Sequence, residues 1–135
     1  LQQEGDDPDV TRVSPKALAE AVAARAEELA TRYSTGTVAV ISVAPDDVLQ
    51  VLRRGGWLST RSPYALARDG VELAVLYPGD ARGLEFDAVV VAEPAAFAPN
   101  LGRHGPLYTA LSRANRTLSI VHSTPLPEAL AERRR

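Results

Sequence analysis

Apolar residues along the chain fall into two kinds of run. Ala17, Leu18, Ala21, Val22, Ala26 and Leu29 recur at the three-and-four spacing of one helix face, behind Ser14-Pro15, a serine N-cap with proline at the first helical position. A helix is predicted from there to about Tyr33. Its stripe is mostly alanine, which suits close packing on a sheet, and Gly36 stops it. Residues 37–43 form instead a continuous apolar, β-branched run, the pattern of a strand buried on both faces. Pro45-Asp46-Asp47 opens a second helix with acids at its positive end, and Arg53-Arg54 followed by Gly55 closes it. Residues 71–77 and 87–92 are predicted as two more buried strands, and residues 117–122 as a fourth. Residues 57–70 are irregular, with a short helix expected around 64–68. Gly105-Pro106 begins a helix carrying residues 107–114, and a last short helix is expected over 127–134. Residues 1–12 are acidic and aperiodic and read as a lead-in or linker, leaving 13–135 as one domain.

Apolar strands alternating with helices imply an α/β fold: a mainly parallel sheet with helices on both faces, in three layers. Composition narrows the function classes. There is no cysteine, which excludes disulfides and thiolate metal sites, and the two histidines, His104 and His122, are far apart, so no metal site is expected. A cysteine-free chain fits a reducing, cytoplasmic setting. The net charge is −2, without the basic excess that an autonomous nucleic-acid binder uses to neutralise phosphates. No apolar run approaches the ~20 residues of a membrane span, and the polar, acidic start is not expected to be a signal peptide. Lys16 is the only lysine beside many arginines, alanines and prolines, a composition typical of a GC-rich genome. There is no methionine, so the chain is expected to be a piece of something longer.

The chain lacks a Walker A phosphate loop, a dinucleotide fingerprint and a nucleophile elbow, so a complete active site cannot be assembled from it. Two segments stand out. Ala81-Arg82-Gly83-Leu84-Glu85-Phe86-Asp87 is a polar, glycine-containing turn between two strands, a place where open α/β sheets set ligand contacts. Gly83 permits close backbone approach and Glu85 can accept hydrogen bonds from a sugar hydroxyl; equally, Gly83 can simply make the turn while Glu85 caps a helical one. In residues 107–114, Leu107, Ala110, Leu111 and Ala114 form a packing face, with Ser112 and Arg113 largely off it. Arg113 is then either a solvated arginine favoured by the helix dipole or an arginine finger, a rigid bidentate donor to phosphate.

Together these segments resemble motifs V and VI of superfamily 1 helicases. Arg82-Gly83-Leu84-Glu85-Phe86-Asp87 is similar to Lys-Gly-Leu-Glu-Phe-Asp, and Leu107-Tyr108-Thr109-Ala110-Leu111-Ser112-Arg113-Ala114 to Leu-Tyr-Val-Ala-Leu-Thr-Arg-Ala, in the family's order. The resemblance implies the second RecA-like (P-loop NTPase-type) domain of a UvrD/Rep-type helicase, with ATP and Mg²⁺ bound mainly by an N-terminal RecA-like domain of the same polypeptide. It further implies Arg113 as the finger, Arg82, Gly83 and Glu85 as nucleotide contacts with Glu85 on the ribose, and Tyr108 and Ser112 as nucleic-acid or coupling contacts. The partner it implies is DNA, in single-stranded form, for a motor working in the cytoplasm beside the nucleoid. Two features of the family are missing: Tyr77-Pro78-Gly79-Asp80 replaces the usual Thr-x-His pair, and Ile41-Ser42-Val43-Ala44 offers no motif IV arginine. They leave open a different class, a degenerate RecA-like interaction module without ATPase chemistry. The short stretch between the first two strands, Glu93-Pro94 and the ending of residues 121–127 are similar to actinobacterial HelD-like ATPases that release RNA polymerase from nucleic acid.

Overall fold

The computed structural model describes residues 8–97 and 105–127 together with Leu130. The elements, in chain order, are β1 (Asp9–Arg12), α1 (Leu18–Arg32), β2 (Val38–Ile41), α2 (Pro45–Arg54), β3 (Leu58–Ser59), β4 (Ala65–Arg68), β5 (Val71–Leu76), β6 (Phe86–Ala92), α3 (Pro106–Leu111) and β7 (Ala114–His122). Short 3₁₀ turns at Pro15–Ala17, Pro78–Ala81 and Pro94–Ala96 join them. All seven strands form one sheet in the order β1-β7-β6-β2-β5-β4-β3. The pairs β1·β7, β7·β6, β6·β2 and β2·β5 are parallel, whereas β5·β4 and β4·β3 are antiparallel.

Strict alternation along the central strands divides the interior in two. Val38 and Val40 of β2 and Ala88, Val90 and Ala92 of β6 point to one face, where Val22, Ala26 and Leu29 of α1 and Val48, Leu49 and Leu52 of α2 cover them. Ile41, Val89, Val91, Leu118 and Ile120 point to the other, against Ala110 of α3 and Ala81 of the turn before β6. Both faces are therefore apolar, which is why β2 and β6 read as unbroken hydrophobic runs. The sequence expectation of a mainly parallel α/β sheet with helices on both faces is borne out.

Three local expectations are corrected. Residues 9–12, placed by the sequence in the lead-in, form edge strand β1; only Val10 is even half-buried, so the alternation that would announce a strand is missing, and the pairing with β7 dictates it. Residues 64–68, expected to include a short helix, instead supply β4. Asp69 and Gly70 both have positive φ (54° and 81°) and join β4 to β5 as a two-residue hairpin, a turn for which Asp-Gly is a strong signal. The helix expected over 107–114 ends at Leu111, because Ala114 is claimed by β7, where it pairs with Phe86. Residues 1–7, His104 and most of the closing helix expected over 127–134 lie outside the described residues.

Candidate functional site

β7, β6 and β2 are adjacent and parallel, so the segments that precede them gather at one edge of the sheet. These segments are residues 112–113, 82–85 and 36–37. Both segments singled out in the sequence thus meet at the amino edge of the strands. The rule that ligands gather at the carboxyl ends of an open sheet does not reach this loop, which leaves the carboxyl end of β5 and enters the amino end of β6.

The loop is built by local conformation. After the 3₁₀ turn, Arg82 adopts φ −62°, ψ 134° and Gly83 φ 75°, and the Leu84 amide donates to the Ala81 carbonyl at 3.2 Å. These are the angles of a type II turn, which needs glycine at its third position. Nothing lies within 4 Å of where a Gly83 side chain would begin, so the backbone there is open to approach. Gly83 makes the turn and leaves the space above it free. Arg82 and Glu85 are both exposed beside it.

Arg113 sits where α3 gives way to β7. Its amide donates to the Ala110 carbonyl at 3.3 Å, continuing the helix by one turn, and its own carbonyl accepts from the Phe86 amide at 2.9 Å. The Ser112 hydroxyl donates to the Thr109 carbonyl (3.0 Å) and accepts from Arg113 Nη2 (3.2 Å). That back-bond helps end the helix and steers the guanidinium. Arg113 Nε is buried with no hydrogen-bond partner among the described residues. A buried donor left unpaired costs about 1–3 kcal/mol, so it is an unusual use of an arginine unless an acceptor comes from outside. Tyr108, on the outer face of α3, is 45% exposed.

The two segments share backbone. Phe86 pairs with Ala114, but the next pair is Ala88 with Thr117, so β7 carries an extra residue in a bulge between Ala114 and Thr117. On the other flank, Asp87 is joined to the start of β2: the Asp87 amide donates to Thr37 Oγ1 (3.0 Å), the Thr37 amide to Asp87 Oδ2 (2.9 Å), and the Ala88 amide to the Thr37 carbonyl (3.2 Å). Local sequence reading gives Gly36 and Thr37 only the end of a helix and the start of a strand, since the partner of Thr37 lies 50 residues away.

The opposite edge has a different character. Glu93, at φ 52° just past β6, accepts hydrogen bonds from the amides and hydroxyls of both Ser123 and Thr124 past β7. Burial works against its charge, but these bonds outweigh it and hold the carboxyl below its ordinary pKa. A depressed carboxylate contributes stability above its unfolded pKa of about 4.3, and loses it as pH falls through the folded value. Glu93→Gln is therefore expected to destabilise the chain at pH 7 and to flatten the loss of stability below about pH 4.3, read from urea midpoints across that range. An unaltered acid limb would remove Glu93 from that role. The position of the absent motif IV arginine is also at this carboxyl edge, where Ser42 Oγ accepts from the Ala44 amide. Tyr77 precedes the 3₁₀ turn Pro78–Ala81 and is half-exposed.

Among the described residues no group of three or more histidine, cysteine, aspartate or glutamate side chains could hold a metal ion, and no helix is long and apolar enough to cross a membrane. No family model matches the chain, and no curated protein matches it. Among solved structures, it is similar to the C-terminal domain of a possible DNA helicase from Lactobacillus plantarum WCFS1, with 24% identity and a TM-score of 0.68 over 94% of this chain and 80% of that one. The fold class is therefore α/β and RecA-like, of the kind seen in a helicase C-terminal domain.

Proposed function

We propose that this domain is the second RecA-like half of an ATP-driven superfamily 1 helicase or translocase. Its amino edge would close one side of a nucleotide cleft whose other side belongs to a first RecA-like domain. One observation carries the reading: Arg113, at the position where motif VI supplies the finger, buries an Nε with no partner among the described residues, beside an exposed, glycine-opened loop. The structural likeness to a helicase C-terminal domain supports it.

In this reading each residue has a chemical task. The guanidinium of Arg113 would donate to phosphoryl oxygens as negative charge grows on them, held in its fork by Ser112. Glu85 would accept from ribose hydroxyls, Gly83 would let backbone approach the nucleotide, and Arg82 would add charge at the rim. Tyr108 and Ser112 would communicate with single-stranded DNA. Mg²⁺, held by acids of the first domain, would neutralise the phosphates. Within the class we place the domain with the compact HelD-like motors that act on RNA polymerase, since only α2 and a short hairpin separate β2 from β5.

The test is ATP turnover by the full-length polypeptide, alone and with single-stranded DNA or RNA polymerase. Turnover is expected, with stimulation by the true partner. A protein that neither binds nor hydrolyses ATP would favour the interaction-module reading that the missing Thr-x-His pair leaves open.

A further inference from the structure

Between the loop that bears Glu85 and the regular part of β6 stands Asp87, and the ladder on its β7 side is broken there by the bulge. β6 is held at this point from the β2 side instead, by a reciprocal pair: Asp87 N–H to Thr37 Oγ1 at 3.0 Å and Thr37 N–H to Asp87 Oδ2 at 2.9 Å. Gly36 makes room for it, since a methyl group at that position would collide with the Asp87 carboxylate. Three consecutive residues of the chain, Phe86, Asp87 and Ala88, thus have their amides fixed by Arg113, the Thr37 hydroxyl and the Thr37 carbonyl in turn.

We infer that Thr37 and Asp87, with Gly36 as their spacer, are positioning residues: a clasp that aims the 82–86 loop, and with it Glu85, at the nucleotide. The inference rests on the proposed ATPase reading and adds to it residues from the start of β2. Both hydrogen bonds lie on the exposed surface, where water competes for the same groups, so their contribution to folding is small. Their geometric effect is larger, because the misplacement of a binding group by about 1 Å from a remote change can cost a large factor in function. The Arg113 guanidinium is steered by Ser112 and its backbone by the last turn of α3, with the Phe86 amide as its one backbone link to the loop, so the clasp bears first on the loop and less on the finger.

The separation gives the experiment. In steady-state ATP hydrolysis by the full-length polypeptide, Thr37→Val removes the hydroxyl without changing shape, and Gly36→Ala evicts the Asp87 carboxylate without touching either partner. Each is expected to raise KM for ATP about five- to tenfold while kcat stays within about twofold. Thr37→Ser keeps the acceptor and restores the low KM, and thermal unfolding of the variants stays close to that of the parent. An unchanged KM in Thr37→Val, whether or not kcat moves, overturns the clasp and leaves the ATPase reading standing. A parent protein that hydrolyses no ATP overturns both. If Gly36→Ala does not fold, Thr37→Val and Thr37→Ser still decide.

Discussion

Arg113→Ala in the full-length polypeptide should lower kcat for ATP hydrolysis by about a thousandfold or more, with KM within about threefold. The size follows from when the arginine acts. Charge on the transferring phosphoryl group is redistributed at the top of the barrier, so a donor fixed to meet it lowers the barrier more than it strengthens ground-state binding. Arg113→Lys should recover little, because an ammonium keeps the charge and loses the planar fork that Ser112 holds in place. Folding gives the control. Since Nε is buried without a partner among the described residues, removing the side chain abolishes an unpaired donor, and the melting temperature should be unchanged or slightly raised. A variant that is inactive because it is unfolded would be exposed by that measurement. A kcat unchanged by Arg113→Ala would make the residue a bystander.

The second large effect is on stability. Trp57→Ala is expected to cost about 3–5 kcal/mol, a large share of the roughly 5–15 kcal/mol that holds a domain together. Trp57 is 2% exposed and joins the hairpin to both helices of its face. Its indole nitrogen donates to Glu27 Oε2 at 3.0 Å, and the Arg68 guanidinium lies 4.8 Å from the ring centre. Arg68 also donates to the Gly55 carbonyl at 2.7 Å. The Arg68–Glu27 ion pair is one-third exposed on each side and worth at most about 1 kcal/mol, so loss of the buried ring dominates. Trp57→Phe should separate the two contributions, costing about 1–2 kcal/mol for the lost hydrogen bond and the smaller ring. Urea unfolding followed by circular dichroism measures both. A loss below about 1 kcal/mol for Trp57→Ala would mean that the hairpin is not anchored through this side chain.

Wherever burial imposes a period on neighbouring residues, the fold could be read from the chain. α1, β2 and β6 were legible because each is covered by a core that dictates either a three-and-four spacing or an unbroken apolar run, and α2 because acids, arginines and a glycine mark its two ends. β1 was not, since an exposed edge strand needs no apolar alternation and owes its conformation to a partner about 110 residues away. In β4, Ala65-Leu66-Ala67-Arg68 has good helix formers, yet pairing with β5 across Asp69-Gly70 overrides that preference. The candidate site divides in the same manner. Gly83 and Arg113 were legible through motifs that are contiguous in sequence. Asp87 ends the first of those motifs, but its pairing with Thr37 carries no local signal, because that relation exists only after β2 and β6 have paired.

The most direct measurement is amide hydrogen exchange on the full-length polypeptide, with and without ADP–aluminium fluoride as a mimic of the transferring phosphoryl group. The expected result is added protection confined to residues 82–86 and 112–114 at the amino edge, with residues 93–97 and 123–124 at the carboxyl edge unchanged. No change at 82–86 and 112–114, or protection at the carboxyl edge alone, would contradict the claim that this domain meets a nucleotide through Arg113 and the loop beside it.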